Sequence, residues 1–140
     1  MYTNILLAVD LNDEASWQKA LPTATDLCGD ATSLHVVTVV PSFGMSIVSG
    51  YFPENYEQEV SAKVLEQLKD FVSTNVPDGI PVQHIVGSGN VYECILKTAD
   101  EISADLIVLA AHRPELSDYL LGPNAARVVR HAKTSVMVVR

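Results

Sequence analysis

Ala104-Asp105-Leu106-Ile107-Val108-Leu109-Ala110-Ala111-His112-Arg113-Pro114, then Leu120-Leu121-Gly122-Pro123-Asn124-Ala125-Ala126-Arg127-Val128-Val129-Arg130-His131, then Thr134-Ser135-Val136-Met137-Val138-Val139-Arg140: this stretch decides the fold. An apolar strand runs into a polar loop. The loop ends at Gly122, which opens a short basic helix, and a second apolar strand follows. A loop leading into a helix N-terminus is a ready anion site, because unpaired N–H groups and the helix dipole point there together.

Upstream, the same alternation repeats. Asn4 to Asp10 is a continuous apolar run ending in an acid, as a strand buried on both faces requires. Asn12 is placed to cap a helix with Asp13 and Glu14 in its first turn. Trp17, Ala20, Leu21, Ala24, Leu27 and Cys28 then give it an apolar stripe, and Pro22 should kink it. Leu34 to Val40 is a β-branched strand stopped by Pro41. Residues 42–55 show no period and read as a long connection with exposed apolar residues (Phe43, Met45, Ile47, Tyr51, Phe52), of a kind often functional. Tyr56 to Thr74 is helical, with Val60, Val64, Leu68 and Phe71 on one face. Pro77-Asp78-Gly79 is a turn and Val82 to Val86 a strand. Asn90 and Glu93 can form a capping box for a helix bearing Val91, Cys94, Ile95, Thr98, Ala99 and Ile102. Leu106 to Ala111 and Ser135 to Val139 are the last strands. On the helix between them, Ala125, Val128, Val129 and Ala132 form the inward stripe, leaving Arg127, Arg130 and His131 outward. Strands alternating with helices imply an α/β protein: a parallel sheet, helices on both faces, and ligands bound beyond the strands' carboxyl ends where strand order reverses.

Composition bounds the rest. The 140 residues suit one domain, 1–140, and 48% hydrophobic content argues against disorder. No apolar run approaches the ~20 residues of a membrane span. Met1-Tyr2-Thr3-Asn4 offers no basic region, and Ile5 to Val9 is too short for a signal core, so the expectation is a cytoplasmic protein with no membrane insertion. The net charge of −8 argues against nucleic acid as a partner. Arg113, Arg127, Arg130, His131, Lys133 and Arg140 nevertheless give the C-terminal end a local positive field that a small polyanion could use. Cys28 and Cys94 read as small buried hydrophobes, and the cysteines and histidines lack zinc spacing.

The strand ends Ala8-Val9-Asp10, Val39-Val40-Pro41 and Ala110-Ala111-His112-Arg113 should converge on the crevice. Asp10 is placed to accept from a ribose hydroxyl, or equally to cap the first helix or its loop. Gly122 allows close approach to a phosphate, or merely turns the chain. Pro123 suits a first helical position but removes one N–H. Asn124 could contact a phosphate or cap the helix, and Arg113 could pair with a phosphate or lie solvated. No catalytic set emerges: Ser117 and Asp118 near His112 impose no triad, no Walker A pattern occurs, and Gly87-Ser88-Gly89 lacks the third glycine of a dinucleotide fingerprint, with Tyr92 in its place.

Ile5-Leu6-Leu7-Ala8-Val9-Asp10, His35-Val36-Val37-Thr38-Val39-Val40-Pro41, Ala104-Asp105-Leu106-Ile107-Val108, and Arg130-His131-Ala132 followed by Ser135-Val136-Met137-Val138-Val139 together resemble the universal stress protein family over the whole chain. The resemblance implies a Rossmann-like open five-stranded parallel sheet in the order 3-2-1-4-5, and a homodimer through the last strand, Thr134 to Arg140. Many members bind ATP through Gly-x2-Gly-x9-Gly-Ser/Thr. Here the first two glycines would fall at Leu109 and His112, or at Ala110 and Arg113 after a one-residue deletion, and Pro123 replaces Ser/Thr. Ala111-His112-Arg113-Pro114 with Tyr119-Leu120-Leu121-Gly122 is similar to a bacterial subgroup with His-Arg-Pro in this loop, which retains nucleotide binding. Carried over, Ala8 and Asp10 would meet ribose and adenine, and Val39 or Val40 would contact adenine through its backbone. Ala110, His112, Arg113, Gly122, Pro123 and Asn124 would line the phosphates, and Val9, Ala111 and Ala125 complete the expected nucleotide-binding set. The expected ligand is ATP or AMP, the triphosphate with magnesium.

The leading functional expectation is therefore an adenine-nucleotide-binding regulator of the stress response, with slow ATP hydrolysis at most. The alternative is a nucleotide-independent dimeric adaptor that meets an unidentified protein partner through its 42–55 loop. A small hydrolase or transferase ranks last, because no base for activating water can be named.

Overall fold

In the computed structural model, residues 2–40, 56–111 and 123–140 are described. Strands β1 (Asn4–Ala8), β2 (Ser33–Val40), β3 (Val82–Ser88), β4 (Leu106–Ala110) and β5 (Ser135–Val139) form one sheet in the order β3-β2-β1-β4-β5. Every pairing is parallel. Leu6 lies opposite His35 of β2 and Ile107 of β4, so β1 is the sheet's centre. Helices α1 (Ala20–Asp26), α2 (Tyr56–Asn75), α3 (Val91–Glu101) and α4 (Pro123–His131) are the described α-helices.

The alternation of side chains along each strand sorts the core into two layers. Ile5, Leu7, Leu34, Val36, Leu106 and Val108 pack against Ala20, Leu21 and Ala24 of α1 and Leu68 and Val72 of α2. Leu6, Val37, Ile107 and Leu109 face the other way, onto Ile95 and Ala99 of α3 and Ala125 and Val128 of α4. Two helices thus cover each face, as continuous apolar strands demand. Each fully buried aliphatic side chain contributes roughly 1.5–3 kcal/mol relative to exposure.

Several local expectations need correction. The first helix is two pieces: a 3-10 turn at Glu14–Ser16, then α1 from Ala20. Asp13, not Asn12, caps the turn by accepting the Ala15 N–H at 3.1 Å. The Asn12 N–H is itself taken by the Asp10 carboxylate, at 3.0 Å. Pro22 does not kink a long helix, because it is the third residue of α1, where a missing N–H breaks no helical bond. β1 stops at Ala8, two residues short of Asp10. Val129 is 45% exposed rather than inward, so the α4 stripe is Ala125 and Val128 with half-buried Ala132. Only half of the capping box forms: Asn90 accepts the Glu93 N–H at 3.3 Å, while the Glu93 carboxylate accepts from the Tyr92 hydroxyl. Cys28 and Cys94 are free thiols, half rather than fully buried. The 42–55 connection lies outside the described residues.

The amino end of β1 is anchored by polar contacts. Asp105 accepts the N–H groups of Thr3 and Asn4, at 2.7 and 2.9 Å. The buried Thr32 hydroxyl donates to the Tyr2 carbonyl at 2.8 Å and accepts the Gly29 N–H.

Candidate functional site

The chain crosses from β1 to β2 on one side of the sheet, and β4 lies on β1's other side. The order therefore reverses between β1 and β4, and their carboxyl ends diverge into a crevice. A cavity of about 180 Å³ occupies it. Its walls are mostly apolar: Ala8 and Val9 after β1, Val37 and Val39 of β2, Leu109 and Ala110 of β4, Val91 and Ile95 of α3. Polar side chains come from Asp10 and Ser16 on one side and Asn124 on the other.

Asp10 is exposed, and its loop is tightly bonded. One carboxylate oxygen holds the Asn12 N–H. The Asp10 carbonyl accepts the Asp13 N–H at 3.0 Å, and its N–H donates to the Ser16 hydroxyl at 2.8 Å. Of the two roles read from the sequence, the loop-organising one is seen in the contact of one carboxylate oxygen with the Asn12 N–H.

The strand backbones add a second recognition element. Val37 points its carbonyl at β1, where it accepts the Val9 N–H at 3.0 Å. Backbone groups alternate sides along a strand, so Val39 points the same way. The β1–β2 ladder ends at the Ala8–Val37 pair, which leaves the Val39 N–H and carbonyl facing the crevice past its end. Val40 points away, its carbonyl accepting the Gly89 N–H at 3.0 Å. Between Val39 and Val40, the geometry brings only Val39 to the cavity.

The third element is α4, which begins at the cavity with Pro123, Asn124 and Ala125. Its first turn holds no acidic residue, so no side chain of that turn offsets the positive end of its dipole. Pro123 contributes no N–H, which leaves the amides of Asn124 and Ala125 as early donors. Among the described residues Asp10 is the single carboxylate on the cavity wall. No cluster of three or more His, Cys, Asp or Glu side chains capable of holding a metal occurs among them. A magnesium ion here would draw its remaining ligands from phosphate and water.

Of the residues expected at the site, Ala8, Val9, Asp10, Val39, Ala110, Pro123, Asn124 and Ala125 line the cavity. Val40 does not, and Ala111 instead donates its N–H to the Val139 carbonyl of β5 at 2.8 Å. His112, Arg113 and Gly122 lie outside the described residues. Ser16, Val37, Val91, Ile95 and Leu109 were missed. The apolar four read as ordinary core, and nothing in a lone serine of an amphipathic stretch marks it. Nearby, the Cys94 thiol donates to the Ser88 carbonyl at 3.0 Å. Burial pushes its pKa up, with Lys97 pulling in the opposite direction. Arg127 lies over the Tyr92 ring, 5.1 Å from its centroid, and His131 stacks on the same ring. Both are thereby engaged between α3 and α4 rather than at the cavity.

Sheet order and crevice define an open, doubly wound α/β protein with a cavity at the strand-order reversal. The chain belongs to the universal stress protein family, whose model matches residues 1–140. Universal stress protein G of Escherichia coli O157:H7 is 30% identical over the full length of both chains. The solved structure of MJ0577 from Methanocaldococcus jannaschii, 25% identical, superposes with a TM-score of 0.78 over 99% of this chain and 96% of that one. A universal stress protein from Archaeoglobus fulgidus, solved in complex with dAMP, shares the fold at a TM-score of 0.69 and 22% identity, covering 99% and 98% of the two chains. No helix among the described residues is long and apolar enough to cross a membrane.

Proposed function

We propose that this chain, as a single domain over residues 1–140, binds an adenine nucleotide in the β1–β4 crevice and serves as a nucleotide-dependent regulator of a cytoplasmic stress response. One observation carries the reading: the unpaired Val39 backbone edge, the Asp10 carboxylate and the acid-free N-terminus of α4 surround one apolar cavity. An N–H beside a carbonyl matches adenine's ring nitrogen and amino group. Val37, Val39 and Ile95 offer apolar contact to the base. Asp10 would accept from ribose hydroxyls, and the α4 amides would meet the phosphate. The dAMP complex of the A. fulgidus relative supports this ligand class. AMP and ATP share the base and ribose contacts. ATP asks more of a helix start that already lacks the Pro123 N–H. Hydrolysis is not assigned, because the described cavity wall holds no base beside Asp10.

The test is calorimetric titration of purified protein with AMP and ATP, with Asp10→Ala alongside. Wild type should bind, and Asp10→Ala should lose about tenfold to a hundredfold in affinity, the worth of a charge-assisted hydrogen bond. Absence of both binding heat and thermal protection with either nucleotide would overturn the proposal.

Pro123 itself favours a second reading, a nucleotide-independent adaptor. On that reading freshly purified protein carries no nucleotide, and Gly122→Asp leaves partner binding intact.

A further inference from the structure

β1 stops pairing with β4 while its backbone still points there. The Thr3 carbonyl accepts from Ser33 at 2.8 Å and the Val9 N–H donates to Val37 at 3.0 Å, so odd residues of this segment face β2. The Asn4 carbonyl accepts the Asp105 N–H at 3.0 Å, so even residues face β4. By that alternation the Asp10 N–H points toward β4. Yet the β1–β4 register ends at Leu7 and Val108. The Asp10 N–H goes instead to the Ser16 hydroxyl, at 2.8 Å.

We propose that Ser16 is the positioning residue of the site: its hydroxyl replaces β4 as the partner of the Asp10 backbone, holds the crevice open and fixes the Asp10 carboxylate. The inference rests on the nucleotide reading above. Ser16 is only 9% exposed and lies on the cavity wall. Its oxygen accepts from Asp10, and its single proton goes to the Asp13 carbonyl at 2.7 Å, with the Asp10 carbonyl at 3.0 Å as the other acceptor. Its own N–H donates to the Asp13 carbonyl at 3.0 Å, inside a turn that Asp13 caps. The hydroxyl is therefore held by the turn and in turn holds the loop. Without it, the Asp10 N–H loses its partner within the turn, and the carboxylate loses the constraint that this bond places on its backbone.

The experiment titrates AMP and 2′,3′-dideoxy-AMP, which lacks the hydroxyls Asp10 would accept, into wild type, Ser16→Ala and Ser16→Thr. Wild type should prefer AMP. Ser16→Ala should lose about tenfold for AMP and less than about twofold for the dideoxy compound, since only the Asp10 contact is disturbed. Ser16→Thr, which keeps the hydroxyl, should recover most of the loss. Equal losses for both ligands, or none, overturn the role of Ser16. A wild type that binds neither ligand overturns the nucleotide reading instead, and backbone hydrogen exchange then tests Ser16 alone: the Asp10 amide should be protected in wild type and exchange faster in Ser16→Ala, and unchanged protection overturns the placement. If Ser16→Ala does not fold, Ser16→Cys carries the same comparisons through a weaker hydrogen-bonding group.

Discussion

Two aspartates at opposite ends of β1 are bonded differently: one is spent on the strand's start, the other lies on the cavity wall. Asp105 spends both carboxylate oxygens on the Thr3 and Asn4 N–H groups, which start a central strand and have little else to bond. Asp10 spends one oxygen on its own loop and keeps the other. Asp105→Ala should therefore destabilise the fold by about 1–3 kcal/mol, the range for hydrogen bonds to a charged acceptor discounted for partial exposure. Asp105→Asn, which keeps one acceptor oxygen, should cost less. Urea unfolding of the three proteins measures this, and a Asp105→Ala midpoint equal to wild type would remove the anchor from the account. The sequence made Asp10 conspicuous, because it ends an apolar run. Asp105 was only part of a motif, since its partners lie about a hundred positions away.

Among the elements, the strands were legible to within a residue or two, most plainly β1 and β4, which are continuous apolar runs, a pattern that burial on both faces enforces. The region from Asn12 to Asp26 misled because its apolar spacing is helical throughout, while Asp13 and Ser16 bond locally and divert the backbone into a 3-10 turn. Side chains that compete for backbone hydrogen bonds are invisible to periodicity, and here they shape the candidate site. The end of α3 conceals a similar case. The Ala104 N–H bonds the Ala99 carbonyl at 2.9 Å and the Ser103 N–H bonds Asp100 at 3.2 Å, a Schellman closure. Its left-handed position, φ 54°, is held by Ser103 rather than glycine. Ser103→Gly should stabilise the protein by about 0.5–1 kcal/mol, the relief of a side chain from that conformation less the added freedom of the unfolded chain. Thermal unfolding would show it as a raised midpoint. A lowered one would mean that the serine hydroxyl contributes more than its backbone strain costs.

For the whole molecule, the sheet has two edges and they differ. β3 carries Gln83, His84, Gly87 and Ser88, whereas β5 presents Val136, Met137, Val138 and Val139 only half-buried, with Val129 exposed on the neighbouring helix. An apolar edge of this kind invites another strand, and a second copy of β5 related by a twofold axis would supply one. The Val139 carbonyl points to β4, where it accepts from Ala111, so alternation turns the backbone of Val136 and Val138 outward. Val138→Pro therefore deletes a donor from the outer edge without touching the β4–β5 ladder, and Met137→Pro deletes one from the ladder itself. By light scattering, wild type should be a dimer, Val138→Pro a folded monomer, and Met137→Pro destabilised. Charge adds a second readout. Arg127, Arg130, Lys133 and Arg140 lie in residues 123–140 with no carboxylate among them, so edge pairing gathers like charges. Added salt should screen that repulsion and tighten the dimer. A wild-type monomer, or a Val138→Pro dimer of undiminished affinity, would show that the β5 edge is protected in some other way.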